Sequence, residues 1–218
     1  MNDTDLKKNI LIVSGGRVDL AHAALWLNET PVDFVIGVDS GGETALELGL
    51  ELDLLIGDLD SAGDPQGLMR AAGEVRIFEP EKDDTDTGLA LAAALEMRPE
   101  NIFILGGTGE RMDHTFTTVM SLEQTLGSGV HCEIVDGKNR IYMRNGDFVI
   151  RRDEQYGEYV SFVPVSDKVV LSLEGMRYDG VRICVVRGAT LCQSNEIVEE
   201  EAYIKVHEGV ILVFESRD

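Results

Sequence analysis

Over roughly the first 136 residues, short runs of β-branched and aliphatic residues alternate with longer stretches in which apolar positions recur at helical spacing. The runs at 10–14, 34–39, 54–57, 75–78, 102–105 and 132–135 read as strands. Most are apolar at nearly every position, as strands buried on both faces of a parallel sheet are. The stretches at 20–27, 44–48, 68–72, 87–97 and 115–126 read as the helices that cross between them and cover both faces. This alternation predicts βαβ units and an open parallel-sheet α/β domain.

Beyond residue 136 the helical spacing stops. YVSFVPV, KVVLSLEG, AYIKV and GVILVFES are short β-branched and aromatic runs broken by Gly, Asp and Asn, which predicts an all-β unit. VDGKNR and RNGD supply turn signals between 136 and 145. The predicted domains are therefore 1–138 and 139–218, with no internal repeat, low-complexity tract or long linker.

Composition narrows the function. A chain of 218 residues is about one and a half times a 150-residue domain, and 44% apolar with 27% charged residues excludes collagen-like and wholly disordered readings. Nineteen Lys and Arg against 40 Asp and Glu give a formal charge of −21, which argues against nucleic-acid binding. The same charge favours a cationic ligand, while a phosphate ligand needs magnesium and a few placed Lys or Arg side chains. No apolar run approaches the roughly 18 residues of a membrane span, and MNDTDLKKN is too polar for a secretory signal, so the expected address is the cytoplasm, with no membrane partner. Cys132, Cys184 and Cys192 lack CxxC spacing and read as buried or half-buried thiols of a reducing compartment. Trp26 in AHAALWL reads as a core residue.

The unusual residues cluster after predicted strands. GDLDS at 57–61 follows the third, EKDDTD at 81–86 the fourth and GGTGERMDH at 106–114 the fifth. In an open parallel sheet the carboxyl ends of the strands face one crevice, so these loops converge on one site. Asp58 and Asp60 in a tight loop repel by on the order of 4 kcal/mol at about 4 Å and an effective dielectric of about 20, which suits them to a shared hard cation such as magnesium. The plain alternative is a solvated turn in which Asp60 or Ser61 caps the next helix. In EKDDTD, Asp83, Asp84 and Asp86 with Thr85 either complement a helix N-terminus or, with Lys82 on phosphate oxygens, form a metal and phosphate site. GGTGERMDH offers a glycine turn for an anion, with Arg111 to grip phosphate and Asp113 and His114 to orient a ligand or move a proton, although an Asp-His pair also serves structure. SGGRVD at 14–19 lacks GxGxxG spacing and is a phosphate-contact candidate of low specificity.

VDSGGETALELGLELDLLIGDLDS, EKDDTDTGLALA, GGTGERMDHT, NRI at 139–141, VSFVPVS, GMRYD and QSNE together resemble the thiamine pyrophosphokinase (thiamine diphosphokinase) family in its bacterial form, in the family's order and across nearly the whole chain. The resemblance implies an α/β ATP-binding catalytic domain followed by a β-sandwich thiamine-binding domain. It implies transfer of the terminal diphosphate of ATP to the thiamine hydroxyl with release of AMP, by a homodimer holding thiamine between subunits. Carried over by motif, Asp58, Asp60 and Asp86 look like magnesium ligands. Lys82, Asp83 and Arg111 look like groups handling phosphate or thiamine. Ser40 and Gly41 of VDSGG, Thr85, Asp113, His114, and Ser194 and Asn195 of QSNE look like substrate contacts. Asp58 or Asp83 would accept the hydroxyl proton. Leu52, Glu110 and Thr118 depart from the family's usual Pro, Gly and Asn, and the β domain lacks the Trp of eukaryotic relatives.

Two other readings compete. A magnesium phosphohydrolase with an aspartate nucleophile also opens on DxD, usually after its first strand, whereas the motif here follows the third. A catalytically inactive nucleotide or thiamine-binding module would carry the same loops and bind without turnover.

Overall fold

The computed structural model describes residues 8–78, 84–109 and 111–218, and the chain divides into two compact units, Met1–Gly137 and Lys138–Asp218.

The first unit holds six parallel strands, β1 (Asn9–Val13), β2 (Phe34–Val38), β3 (Leu52–Gly57), β4 (Ala72–Ile77), β5 (Asn101–Leu105) and β6 (His131–Val135), in the order β4-β3-β2-β1-β5-β6. Its helices are α1 (Leu20–Glu29), α2 (Gly41–Glu47), α3 (Pro65–Ala71), α4 (Asp86–Glu96) and α5 (Met112–Ser121), the last followed by a 3-10 turn at Leu122–Thr125. Ile10, Leu11, Ile12 and Val13 have no exposed surface, which is why β1 reads as an unbroken apolar run. Trp26 is a core residue, edge-on to Phe103 with 5.1 Å between ring centres. The small residues Gly88, Ala90 and Ala94 on the buried side of α4 let that helix pack against β1, β2 and β3.

Several boundaries differ from the sequence pattern for one physical reason. Apolar spacing marks where a helix touches the core, not where its hydrogen bonds begin. Thus α2 starts at Gly41 rather than 44, and α5 starts at Met112 rather than 115, with Met112 and Phe116 exposed. After Ser121 the chain tightens into the 3-10 turn instead of continuing as α-helix to 126. Strand β4 follows α3 with no loop between them and starts at Ala72 rather than 75, because the first half of this edge strand, with Gly73 and Glu74 exposed, carries no apolar signal.

The second unit is a sandwich of antiparallel strands, as expected. Its strands are β7 (Asn139–Arg144), β8 (Phe148–Arg151), β9 (Tyr159–Pro164), β10 (Lys168–Glu174), β11 (Gly180–Val186), β12 (Glu201–Glu208) and β13 (Ile211–Ser216). Within this unit the hydrogen-bonded orders are β7-β13-β9 and β11-β10-β12-β8. Strict alternation along β12 sends Ala202, Ile204 and Val206 inward to meet Phe162 and Val213 from the facing sheet. Cys132 is buried and Cys192 half-buried, but Cys184 is exposed, because β11 is an edge strand and this position faces outward. Among the described residues no helix is long and apolar enough to cross a membrane.

Candidate functional site

The strand order reverses at β1: β2, β3 and β4 lie to one side of it, β5 and β6 to the other. At this switch point the loops leaving β1 and β5 run side by side. The Ser14 amide donates to the Leu105 carbonyl at 2.8 Å, and the Gly16 amide to the Gly106 carbonyl at 3.1 Å. A Cβ on Gly16 would lie 2.2 Å from the Gly106 oxygen, so only glycine permits this approach. A cleft of about 710 Å³ opens above, within the size range of small-ligand sites.

Asp58, Asp60, Thr85, Asp86, Arg111, His114 and Ser40 all line this cleft, so the loops after β3, β4 and β5 do converge. The β1 loop from Ser14 to Arg17, of low specificity in the sequence, lies among them, as does Asp39, which the motif reading passed over. The missed signal was a lone acid at the end of a strand adjoining the switch point.

The loop after β3 is sharply bent. Leu59 adopts a left-handed conformation with φ 60° and buries its side chain, while Asp58 is half-buried and Asp60 exposed. The Asp60 amide donates to Asp58 Oδ1 at 3.1 Å, and among the described residues neither carboxylate has an ion-pair partner. Helix α3 is capped not by Asp60 or Ser61 but by Asp64, whose Oδ1 accepts from the Gly67 amide at 2.9 Å. Asp39, itself left-handed at φ 47°, accepts the Leu59 amide on Oδ1 at 3.1 Å. Gly57 has φ 142°, and a Cβ there would lie 1.7 Å from Asp39 Oδ1.

In the next loop the described residues show the helix-terminus arrangement. Thr85 caps α4 through its hydroxyl, which accepts the Gly88 amide at 3.1 Å, and Asp86 sits in the first turn where it complements the helix dipole. Both residues also line the cleft. Beneath them, Thr87 bonds Ser14 at the end of β1.

In the loop after β5, Arg111 is clasped by Asp113, with Nη2 to Oδ2 at 2.7 Å and Nε to Oδ1 at 3.3 Å. The pair is exposed. Its hydrogen bond raises the pKa of the guanidinium and lowers that of the carboxyl relative to their usual values. Asp113 does not line the cleft; its carboxylate is turned to Arg111. The Gly109 amide donates to Thr115 at 3.0 Å, which folds the glycine turn back onto α5.

Three further candidate residues sit in distinct settings. Gly41 is buried, and a Cβ there would lie 2.1 Å from the Val13 carbonyl oxygen, so close packing requires glycine at this position. Asn195 is buried in the β unit: its Oδ1 accepts the Tyr178 and Glu196 amides at 3.0 Å each, and its Nδ2 donates to the Tyr178 carbonyl and to Met176. That amide has no bonding capacity left for a ligand. Ser194 is exposed at φ 51°, its amide donating to Ser161. Lys82, Asp83 and Glu110 lie outside the described residues.

Among the described residues no three acidic, His or Cys side chains form a ready-made metal cage. Asp58, Asp60 and Asp86 nonetheless present hard oxygen donors to one cleft, a set that suits magnesium completed by phosphate oxygens and water.

Residues 22–134 match the family described as thiamin pyrophosphokinase, catalytic domain, and residues 147–211 match its vitamin B1 binding domain. The chain is 32% identical over 215 residues to the thiamine pyrophosphokinase of Bacillus subtilis, covering 97% of this chain and 100% of that protein. The crystal structure of the Bacillus subtilis thiamine pyrophosphokinase superposes with a TM-score of 0.85 at 31% identity, over 97% of this chain and 100% of that one. That of the thiamin pyrophosphokinase of Geobacillus thermodenitrificans gives 0.83 at 30%, over 96% and 98%.

Proposed function

This chain belongs to the thiamin pyrophosphokinase family, whose members are ATP-dependent diphosphotransferases, and from that premise we propose that its cleft transfers the terminal diphosphate of ATP to the hydroxyl of thiamine, yielding thiamine diphosphate and AMP. The observation that carries the reading is the meeting of Asp58, Asp60 and Asp86 with the glycine loops of β1 and β5 in one cleft.

Asp58, Asp60 and Asp86 are the residues to hold magnesium. The ion, when bound, supplies charge neutralisation on the triphosphate and polarises the phosphorus under attack. Glycines 16 and 106 let the β1 and β5 loops lie against each other, and the backbone of both loops lines the cleft where phosphate oxygens would come close. Arg111, with Lys82 and Asp83 as the resemblance implies, handles phosphate or thiamine, and Asp113 aims the Arg111 guanidinium. Thr85 fixes the first turn of α4 and so the direction of Asp86. Ser40 and His114 remain as substrate contacts on the cleft wall. The hydroxyl proton passes to Asp58 or Asp83.

Domain roles follow the same reading: 1–138 binds ATP and 139–218 binds thiamine. Ser194, exposed, offers the thiamine contact, with Asn195 shaping its loop. The active species is a homodimer with thiamine at the subunit interface; Met112 and Phe116, exposed and four residues apart on α5, are apolar surface that a second subunit would cover. Cys132, Cys184 and Cys192 form no disulfide, which fits a cytoplasmic, reducing address.

The test is to incubate the purified protein with ATP, magnesium and thiamine and to separate the products by chromatography. Thiamine diphosphate with equimolar AMP is expected. ADP with thiamine monophosphate would make it a single-phosphoryl kinase, and hydrolysis of a generic phosphate ester without ATP would make it a phosphohydrolase.

A further inference from the structure

The cleft loop that carries Asp58 and Asp60 is held at two points, by Asp39 directly after β2 and by Glu43 in the first turn of α2. Asp39 Oδ1 accepts the Leu59 amide at 3.1 Å, and Glu43 Oε1 accepts the Asp64 amide at 2.8 Å. The two held amides bracket the segment 59–64, which contains Asp60 and follows directly on Asp58. Asp39 is itself anchored: its amide donates to the Ile56 carbonyl at 3.0 Å, and its carbonyl accepts from the Gly42 amide at 3.1 Å. The clamp therefore joins the end of β2, the end of β3 and the start of α2 into one unit. Glycine is required opposite Asp39, and opposite Glu43 a side chain would be a tight fit. The Asp39 carboxylate fills the space a Gly57 Cβ would take, and Glu43 Oε1 lies 3.1 Å from where a Gly63 Cβ would stand.

We propose that Asp39 and Glu43 are positioning residues for the metal loop, acting through the Leu59 and Asp64 amides to fix Asp58 and Asp60 in a cation-ready arrangement. The inference rests on the assignment of Asp58 and Asp60 as magnesium ligands. Its physical basis is the cost of two left-handed, non-glycine residues, Asp39 and Leu59, and of two carboxylates brought together before any cation neutralises them. A loop under that burden opens unless backbone amides are tied down, and a bond from a neighbouring acid is the tie. Because an amide N–H needs only an acceptor oxygen, the charge of Asp39 and Glu43 is not what the clamp uses. Asn and Gln keep the acceptor; Ala removes it.

The experiment compares Asp39→Ala, Asp39→Asn, Glu43→Ala and Glu43→Gln with the parent protein by two readouts. The first is amide hydrogen exchange of residues 57–64 without metal or nucleotide. The second is the magnesium concentration giving half-maximal thiamine diphosphate formation. The Ala variants are expected to lose protection at Leu59 or Asp64 respectively and to need about 10- to 100-fold more magnesium, the usual effect of removing a partner that orients a metal ligand. The Asn and Gln variants are expected to keep both near the parent values. Protected 57–64 amides in both Ala variants would overturn the clamp. So would Asp39→Asn failing as badly as Asp39→Ala, because the carboxylate charge would then act directly. Should Asp39→Ala not fold, Glu43→Ala, altered at a half-buried surface position, carries the same test. A parent protein that makes no thiamine diphosphate would defeat the functional reading instead, and the exchange measurement would still decide whether the clamp exists.

Discussion

Ser14 Oγ and Thr87 Oγ1 lie 2.7 Å apart and are buried, one at the end of β1 and the other in the first turn of α4. This bond ties the floor of the β1 loop to the helix turn that carries Asp86. Thr87→Val keeps the shape but leaves the Ser14 hydroxyl buried without this partner, a cost of about 1–3 kcal/mol. Thermal denaturation should show a lower melting temperature for Thr87→Val and a nearly unchanged one for Thr87→Ser, which retains the hydroxyl.

Gly57 is the tightest glycine of the site. With φ 142° and a Cβ position 1.7 Å from Asp39 Oδ1, Gly57→Ala forces the carboxylate off the Leu59 amide and strains the backbone as well. The expected loss of stability exceeds about 1 kcal/mol, measured by urea unfolding. Gly49→Ala, at an open position with φ 76°, is the control for conformational strain without a clash.

Asp60 is exposed, so its substitution is a direct probe of chemistry rather than of folding. Asp60→Asn should leave the melting temperature within about 1 °C of the parent, as surface substitutions do. It should lower turnover by on the order of 100-fold, equivalent to about 3 kcal/mol of transition-state stabilisation. Full turnover of this variant at saturating magnesium would remove Asp60 from the metal set.

In the β unit, Tyr142 donates to Glu215 Oε1 at 2.9 Å, and Glu215 is 2% exposed. The other carboxylate oxygen accepts the Tyr156 amide at 2.7 Å and lies 3.7 Å from Arg140. Burial first, then the Glu215 charge, pushes the Tyr142 phenol well above its usual range. A raised folded pKa means that the folded chain keeps a proton the unfolded chain releases. Its stabilising contribution is whole below the ordinary phenol pKa of about 10 and is lost as the pH rises through the folded value. Ultraviolet titration should therefore show one tyrosine that does not ionise until the β unit unfolds. Tyr142→Phe, leaving Glu215 short of a donor, should cost about 1–3 kcal/mol by thermal denaturation and abolish that late step.

Some of the site was legible along the chain and some was not. Asp58, Asp60 and Asp86 stand out because they belong to closely spaced acids, GDLDS and EKDDTD, in segments that follow strands, and a parallel sheet sends such loops to one end. Asp39 and the SGGR loop do not stand out. Their importance comes from neighbours far away in sequence: Ser14 meets Leu105 and Thr87, and Asp39 meets Leu59. Asn195 was legible as a notable residue but not as a saturated one, because a side chain's hydrogen-bond partners are not written in its motif.

By itself the sequence determined the class of each unit, the strands of the parallel sheet, the core position of Trp26 and the acidic loops, since these depend on local apolar spacing and on the burial it demands. Only the tertiary structure decided which loops share the switch point, that Gly41 and Gly57 are matters of clearance, that Arg111 rests on Asp113, and that Cys184 faces outward. Most of those outcomes depend on strand order and on the approach of atoms separated by tens of residues, and the Arg111–Asp113 clasp on the backbone turn that brings the two side chains together, none of which apolar spacing encodes.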